Sequence, residues 1–363
     1  MKAKPVKSSA RNAFANLSEQ NAKRLAVILG GVLLVLILII ALFPLLDQTQ
    51  EKYEVTTYSM GSYVQQTVYG ENREAAAVEA ADAVQALENE ISWRVSGSDI
   101  QKLNADAGKD WTELSENTMD ILTMAQDVAE KSGGALDITI APVSRLWDFD
   151  NERNTVPDET LLSQMLANVD YTALRLDPET NTASLKNLAN AVDLGAVGKG
   201  AACDAAIEAY AQAGADAAIV SVGGSVGVYG KKASGALWSI AVRDPKTSGT
   251  LGAVSISAGF ISTSGSYEKC FEQEGITYHH LLDPETGYPA ESGLVSVTVL
   301  SDGGALSDAL STACFILGLE DGTALLEEYG AEGIFIDEND KITVTDGLKD
   351  YFELTADGYT LAE

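Results

Sequence analysis

HLLDPETGYP (280–289), LVSVTVL (294–300) and SDALSTACFIL (307–317) follow one another in this chain. The first is a polar turn in which Pro284 sets φ and Asp283, Thr286 and Gly287 favour chain reversal. The second is β-branched and reads as a strand. The third, with Leu306, Leu310, Ala313 and Leu317 at helical spacing, reads as a helix. Elsewhere strands and helices mix without strict βαβ alternation, which favours an α+β domain over a doubly wound sheet.

Asp308 and Thr312 lie four residues apart on the helix side away from that apolar stripe, so they are neighbours in space. A solvated helix face would show the same spacing. The intervening strand, however, holds this pair at a fixed place relative to the turn. A carboxylate and a hydroxyl suit Mg²⁺, which takes oxygen ligands and accompanies phosphates. The turn alone says little, because Asp177-Pro178-Glu179-Thr180 repeats its tetrapeptide inside an expected hairpin, Leu174–Leu185. Only the second copy is preceded by Tyr278-His279-His280 and followed by Gly287-Tyr288-Pro289.

At the N-terminus, residues 1–46 carry six Lys/Arg and one acid, Glu19, a net of +5. The whole chain has 24 Lys/Arg against 53 Asp/Glu, so the remainder nets −34. Residues 25–46 are an apolar run broken only by Gly30, Gly31 and Pro44, long enough at about 1.5 Å per residue to cross a bilayer. No small-residue cleavage site follows it. The expected organisation is a basic cytoplasmic tail (1–24), a transmembrane helix (25–46), a linker (47–55) and one domain (56–363). By the positive-inside rule that domain faces outward, on a single-pass protein of the cell membrane. Its acidity argues against nucleic acid as a partner.

Within the domain, Tyr53–Gly70 alternates like strands with a turn at Gly61. Helices are expected at 73–90, 116–131, 160–167 and 201–213, and strands at 217–229 and 238–243. Ile334–Ile336 and Ile342–Val344 read as short strands. VDLGAVGKGAACDAA (192–206) ends a short strand in glycines and opens a helix whose N-terminus, with Lys199, offers N–H groups and charge to an anion. The spacing is not that of a P-loop. Gly223-Gly224 interrupts a strand, and Ser262–Tyr267 reads as a hydroxyl-rich turn. Cys203, Cys270 and Cys314 have no metal-type spacing and read as small buried hydrophobes. With only His279 and His280 present, a His/Cys zinc site is not expected.

These segments occur in one order, Met60-Gly61, Ser98–Asn104, GGALDITIAPVSRLW (133–147), VDLGAVGKGAACD (192–204), VGGSVGVYG (222–230), STSGSYEKCF (262–271), HHLLDPETGYP (279–289) and SDALSTA (307–313). As a set they resemble the ApbE-type FAD:protein FMN transferases. The resemblance implies a single compact, T-fold-like α+β catalytic domain with a flavin cleft. It implies Mg²⁺-dependent transfer of FMN from FAD to a Ser/Thr hydroxyl of a target flavoprotein outside the cytoplasm, with release of AMP. It further implies FAD contacts at Met60, Trp93, Ala135, Leu136, Asp137, Asp193, Lys199 and Leu282. The implied metal contacts are the Ala196 carbonyl, Asp308 and Thr312, with Ser311 nearby. His280 or a carboxylate near the metal would take the hydroxyl proton. Trp93 stands where the family usually has Tyr, and His279 where it usually has Ser. Two other readings keep FAD: a pyrophosphatase yielding FMN and AMP, and a non-catalytic FAD-binding protein.

Overall fold

The computed structural model of the chain describes residues 51–151 and 154–362. The expected basic tail and membrane helix lie outside the described residues. Among the described residues no helix is long and apolar enough to cross a membrane. The first strand begins at Lys52, inside the segment expected to be a linker, because Lys52–Val55 pair with the following strand in an unbroken ladder.

A nine-stranded sheet forms the frame. Its strands, labelled here in chain order, are β1 (Lys52–Ser59), β2 (Ser62–Tyr69), β3 (Ala217–Val222), β4 (Ser225–Gly230), β5 (Gly259–Gly265), β6 (Leu294–Ser301), β7 (Glu332–Asp337), β8 (Lys341–Val344) and β9 (Thr360–Leu361). Their spatial order is the chain order. Successive strands are antiparallel except for β8 and β9. Among the described residues eight α-helices accompany the sheet: α1 (Arg73–Ile91), α2 (Asp99–Ala105), α3 (Glu116–Lys131), α4 (Ala141–Trp147), α5 (Glu159–Leu166), α6 (Gly198–Ala213), α7 (Gly304–Leu317) and α8 (Leu319–Tyr329).

The local chemistry explains most of these elements. In α1, Ala76, Ala80, Val84, Leu87 and Ile91 recur at helical spacing and are buried, and their small side chains let α1 lie close against Ala-rich α6. Ser115 caps α3 by accepting the Thr118 N–H at 3.2 Å. Gly214, at φ +72°, ends α6 in the left-handed conformation. The main core lies between the sheet and helices α1, α3, α6 and α7. A second core, including Trp238, Val254, Ile334 and Ile342, joins the sheet to a small sheet of strands 238–243, 250–256 and 352–354. A third gathers around Trp147, with Val143, Leu162, Phe271 and Leu282.

Several expectations need correction. Residues 217–229 are not one interrupted strand: Gly223, at φ +57°, turns the chain and β3 pairs with β4, Val222 opposite Ser225. Ser262–Gly265 belongs to β5 and is no solvated turn, because Ser262 and Ser264 find hydroxyl partners on α7. Helix α6 starts three residues earlier than expected, since Asp308 satisfies an N–H of its first turn. Cys203 and Cys314 are buried, and burial pushes the Cys314 thiol up to about 12, but Cys270 is exposed at the start of a hairpin strand. Helices α2, α4 and α8 had no expectation. The hairpin across Asp177–Thr182 and the boundaries of α3 match expectation.

Candidate functional site

Helices α6 and α7 meet at Gly200 and Gly304. A Cβ on Gly200 would lie 2.0 Å from the Gly304 carbonyl oxygen, and one on Gly304 would lie 2.3 Å from the Gly200 oxygen. This approach lets each helix satisfy the other's first turn. Asp308 Oδ2 on α7 accepts the Gly200 N–H at 3.0 Å. Asp204 on α6 accepts the Gly304 and Ala305 N–H groups at 2.7 and 2.8 Å. Free N–H groups at helix starts favour such carboxylates. Burial pushes the Asp204 carboxyl above the usual carboxylate range, against the pull of those two N–H bonds.

Asp308 is 2 % exposed, so the face that carries it is buried and not solvated. Besides Gly200, it accepts the Ser225 hydroxyl at 3.2 Å on Oδ1. The Lys199 ammonium lies 3.4 Å from both carboxylate oxygens. Thr312, one turn on, bonds Ser264 Oγ at 3.2 Å. Ser311 is enclosed: its hydroxyl donates to the Asp308 carbonyl at 2.9 Å and bonds Ser264 at 2.8 Å. Because the Gly200 N–H goes to Asp308, it does not tie up the Ala196 carbonyl four residues before it. The donors collected here are a carboxylate, a hydroxyl and a carbonyl. They are all hard oxygen, which fits Mg²⁺ with waters and phosphate oxygens completing its shell. No group of three His, Cys, Asp or Glu suited to a metal exists among the described residues.

Segment 133–147 is stitched to segment 192–204. The Asp193 N–H donates to the Ile138 carbonyl at 2.8 Å, and Ser144 Oγ donates to Asp193 Oδ2 at 3.3 Å. Asp193 Oδ1 accepts the Gly195 N–H at 2.9 Å and shapes the glycine loop. Asn104 holds Val192 ahead of that loop, donating to its carbonyl and accepting its N–H; the short strand expected here is only an isolated bridge, Ile140 to Ala191. Asp137 is buried; Oδ1 accepts the Thr139 N–H and hydroxyl, both at 2.7 Å, while burial raises its pKa. Met60, at φ +56°, extends its Cε to Gly198, where an added Cβ would meet it at 3.1 Å. The Lys199 stem passes Gly223 in the β3–β4 turn. Met60, Lys199 and Asp308 thereby lie at the start of α6, with Asp193 and Ala196 in the loop that opens it and Thr312 one turn on from Asp308 along α7.

Other candidates are placed differently. Trp93 carries the Arg145 guanidinium at 4.2 Å and that of Arg94 at 4.6 Å from its ring centroid. Ala135 is partly exposed, while Leu136 is buried. The Leu282 side chain is buried in the Trp147 cluster. The turn after it is anchored by Trp147 Nε1, which donates to the Gly287 carbonyl at 2.8 Å. Asp283 organises that turn as Asp177 does the other copy, accepting an N–H two residues on. His280 Nδ1 is 3.1 Å from the Glu268 carbonyl, which can only accept, so Nδ1 carries the proton and Nε2 is the acceptor. Burial, then Lys269 and Lys199, lower its pKa to about 3, so the ring is neutral at pH 7. His279 is buried edge-on to Phe315, ring centroids 5.5 Å apart, and burial lowers its pKa.

Asn104, Asp204, Ser225 and Ser264 were absent from the expected site. Their partners lie 47 to 101 residues away, and no local pattern announces them. A groove of about 570 Å³ between α1, α3 and α6, lined by Leu87, Ile121, Met124 and Ala201, contains none of the expected site residues.

Comparison with known proteins bears on the family and the fold. The profile described as the ApbE family matches residues 60–335. An FAD:protein FMN transferase of Treponema pallidum is 32% identical over 320 residues, covering 82% of this chain and 88% of its own length. One from Klebsiella pneumoniae is 27% identical, covering 86% of this chain and 97% of its own. Among solved structures, the ApbE protein of Thermotoga maritima superimposes with a TM-score of 0.77 at 28% identity, over 83% of this chain and 99% of that one. The Pseudomonas stutzeri flavinyl transferase ApbE does so with a TM-score of 0.75 at 26% identity, over 85% and 100%.

Proposed function

The chain belongs to the ApbE family, and on that premise we propose that it is a transferase moving FMN from FAD to a Ser/Thr hydroxyl of a target flavoprotein, with Mg²⁺ required and AMP released. The observation that carries this reading is the delivery of buried Asp308, with Thr312 one turn on, to the N-terminus of α6 beside Lys199.

In this reading Asp308, Thr312 and the Ala196 carbonyl hold the ion, with Ser311 behind them. Bound there, Mg²⁺ polarises the pyrophosphate of FAD and offsets charge developing in transfer. The N–H groups at the start of α6 and the Lys199 ammonium hold phosphate oxygens. Trp93 would stack on the flavin where the Arg94 or Arg145 guanidinium now over its ring gives way; the swap from Tyr keeps stacking. Asp193, Asp137 and Asn104 keep the two loops at the spacing the flavin needs. The target hydroxyl oxygen bonds to the FMN-side phosphorus as the P–O bond to AMP breaks. The hydroxyl proton passes to His280 Nε2 or to a carboxylate beside the metal. A pKa near 3 makes His280 a weak base alone, but phosphate charge arriving beside it would raise that value. Holding both reactants in place should account for much of the rate.

The apolar run at 25–46 and the basic residues before it support a single membrane anchor with the domain outside the cytoplasm. The test is to incubate the full chain in detergent with FAD, Mg²⁺ and an acceptor protein. Release of AMP with flavin attached to the acceptor supports the transferase. AMP with only free FMN would mean a pyrophosphatase, and intact bound FAD a binding protein.

A further inference from the structure

Three hydroxyls on β4 and β5, in the middle of the nine-stranded sheet, face α7. Ser225 opens β4 and lies opposite Ser262 of β5 in register, with Ser264 two residues along the same face of β5. Ser225 donates to Asp308 Oδ1 at 3.2 Å. Ser262 bonds Ser307 at 2.8 Å. Ser264 bonds Ser311 at 2.8 Å and Thr312 at 3.2 Å. All are buried: Ser225 is 1% exposed, Ser262 0% and Ser264 8%. Helix and strand otherwise pack apolar residues, so a row of hydroxyls between them fixes rotation and register in a way that oily contacts would not.

We infer that Ser225 and Ser264 are positioning residues for the oxygen donors of this site, Ser225 orienting the Asp308 carboxylate and Ser264 orienting the Thr312 hydroxyl. The inference rests on Asp308 and Thr312 holding a divalent cation. Ser225 and Gly200 each occupy one carboxylate oxygen, which fixes the plane of the group and directs its remaining lone pairs. Ser264 touches both residues of the Ser311-Thr312 pair, and Ser311 is already anchored to the Asp308 carbonyl. Turning Thr312 away would therefore cost the Ser264 contact, while Ser311 stays put. Such outer partners typically govern about 10–100-fold in metal affinity.

Ser262 is the internal control. It lies on the same strand as Ser264, is more enclosed and makes a bond of the same 2.8 Å length as Ser264 to Ser311, yet touches neither Asp308 nor Thr312. The experiment measures Mn²⁺ binding to the full chain in detergent by electron paramagnetic resonance, with thermal unfolding on the same samples. Ser225→Ala and Ser264→Ala should each weaken Mn²⁺ binding about 10–100-fold. Ser262→Ala should leave it at the wild-type value, although each variant removes one buried hydroxyl and loses comparable thermal stability. Ser264→Thr, which keeps the hydroxyl, should restore affinity. Equal Mn²⁺ affinity in all three alanine variants, or an affinity loss that merely tracks the fall in melting temperature, would overturn the inference. If Ser264→Ala does not fold, Ser225→Ala on a separate strand and Ser264→Thr still decide it. A wild-type chain that binds no Mn²⁺ would instead refute the metal reading on which the inference stands.

Discussion

Replacing Gly200 by Ala tests the crossing that builds the site. The added Cβ would meet Gly304 oxygen at 2.0 Å, its carbonyl carbon at 2.4 Å and the Ala305 nitrogen at 2.9 Å. All three are backbone atoms and cannot swing aside. Ordinary contact begins near 3.4 Å, so α6 and α7 must part by about 1.4 Å. The Asp308–Gly200 bond of 3.0 Å and the Asp204–Gly304 bond of 2.7 Å would then stretch past hydrogen-bonding range. Bonds to charged groups contribute about 1.5–3 kcal/mol each, so losing two costs about 3–6 kcal/mol. The better helix propensity of Ala returns about 1 kcal/mol. A net loss of about 2–5 kcal/mol is a large share of the roughly 5–15 kcal/mol typical of a domain. Urea denaturation, comparing midpoints at an unchanged slope, measures it, and FMN transfer by the same sample should fall as Asp308 moves. A loss under about 1 kcal/mol with transfer intact would refute the reasoning, because the crossing would then tolerate a methyl group.

Three further outcomes follow from the same geometry. Trp93→Ala should weaken FAD binding about tenfold while Trp93→Phe holds it near wild type, read by flavin fluorescence titration, since aromatic stacking contributes about 0.5–1.5 kcal/mol beyond burial. His280 has a folded pKa lowered from 6.5 to about 3, so the unfolded chain takes up its proton first as pH falls. Its contribution is therefore present above pH 6.5 and lost as pH drops from there towards 3. Denaturation from pH 7 to 4 should show a steeper loss for wild type than for His280→Asn. Asp204→Ala, which removes the carboxylate accepting both N–H groups at the start of α7, should cost about 3–6 kcal/mol in the same assay, at the same figure of about 1.5–3 kcal/mol per charged bond.

Local signals in the sequence were readable because their causes are local. Gly214 marks a helix end, Asp177 marks a hairpin turn, and alternation from Tyr53 to Gly70 marks β1 and β2. The spacing of Asp308 and Thr312 on one helix was likewise plain. What spacing leaves open is which elements meet. Burial of Asp308 depends on Gly200 and Ser225, 108 and 83 residues away. The β3–β4 hairpin looked like one strand because Gly223 and Gly224 suit a bulge as well as a turn. The Ser262–Ser264 run looked solvated because hydroxyls so often face water; here α7 brings hydroxyls of its own. Trp147 gave no hint of its bond to Gly287, 140 residues on.

The central claim is that Asp308 holds the ion with which FMN is moved from FAD to a protein. Its most direct test is AMP release and acceptor-bound flavin, followed together, for wild type and Asp308→Ala across a Mg²⁺ titration. The account predicts that wild type yields both products in equal amounts with saturable Mg²⁺ dependence, and that the variant yields neither at any Mg²⁺ concentration. Flavin attached to the acceptor by Asp308→Ala at the wild-type rate would contradict it.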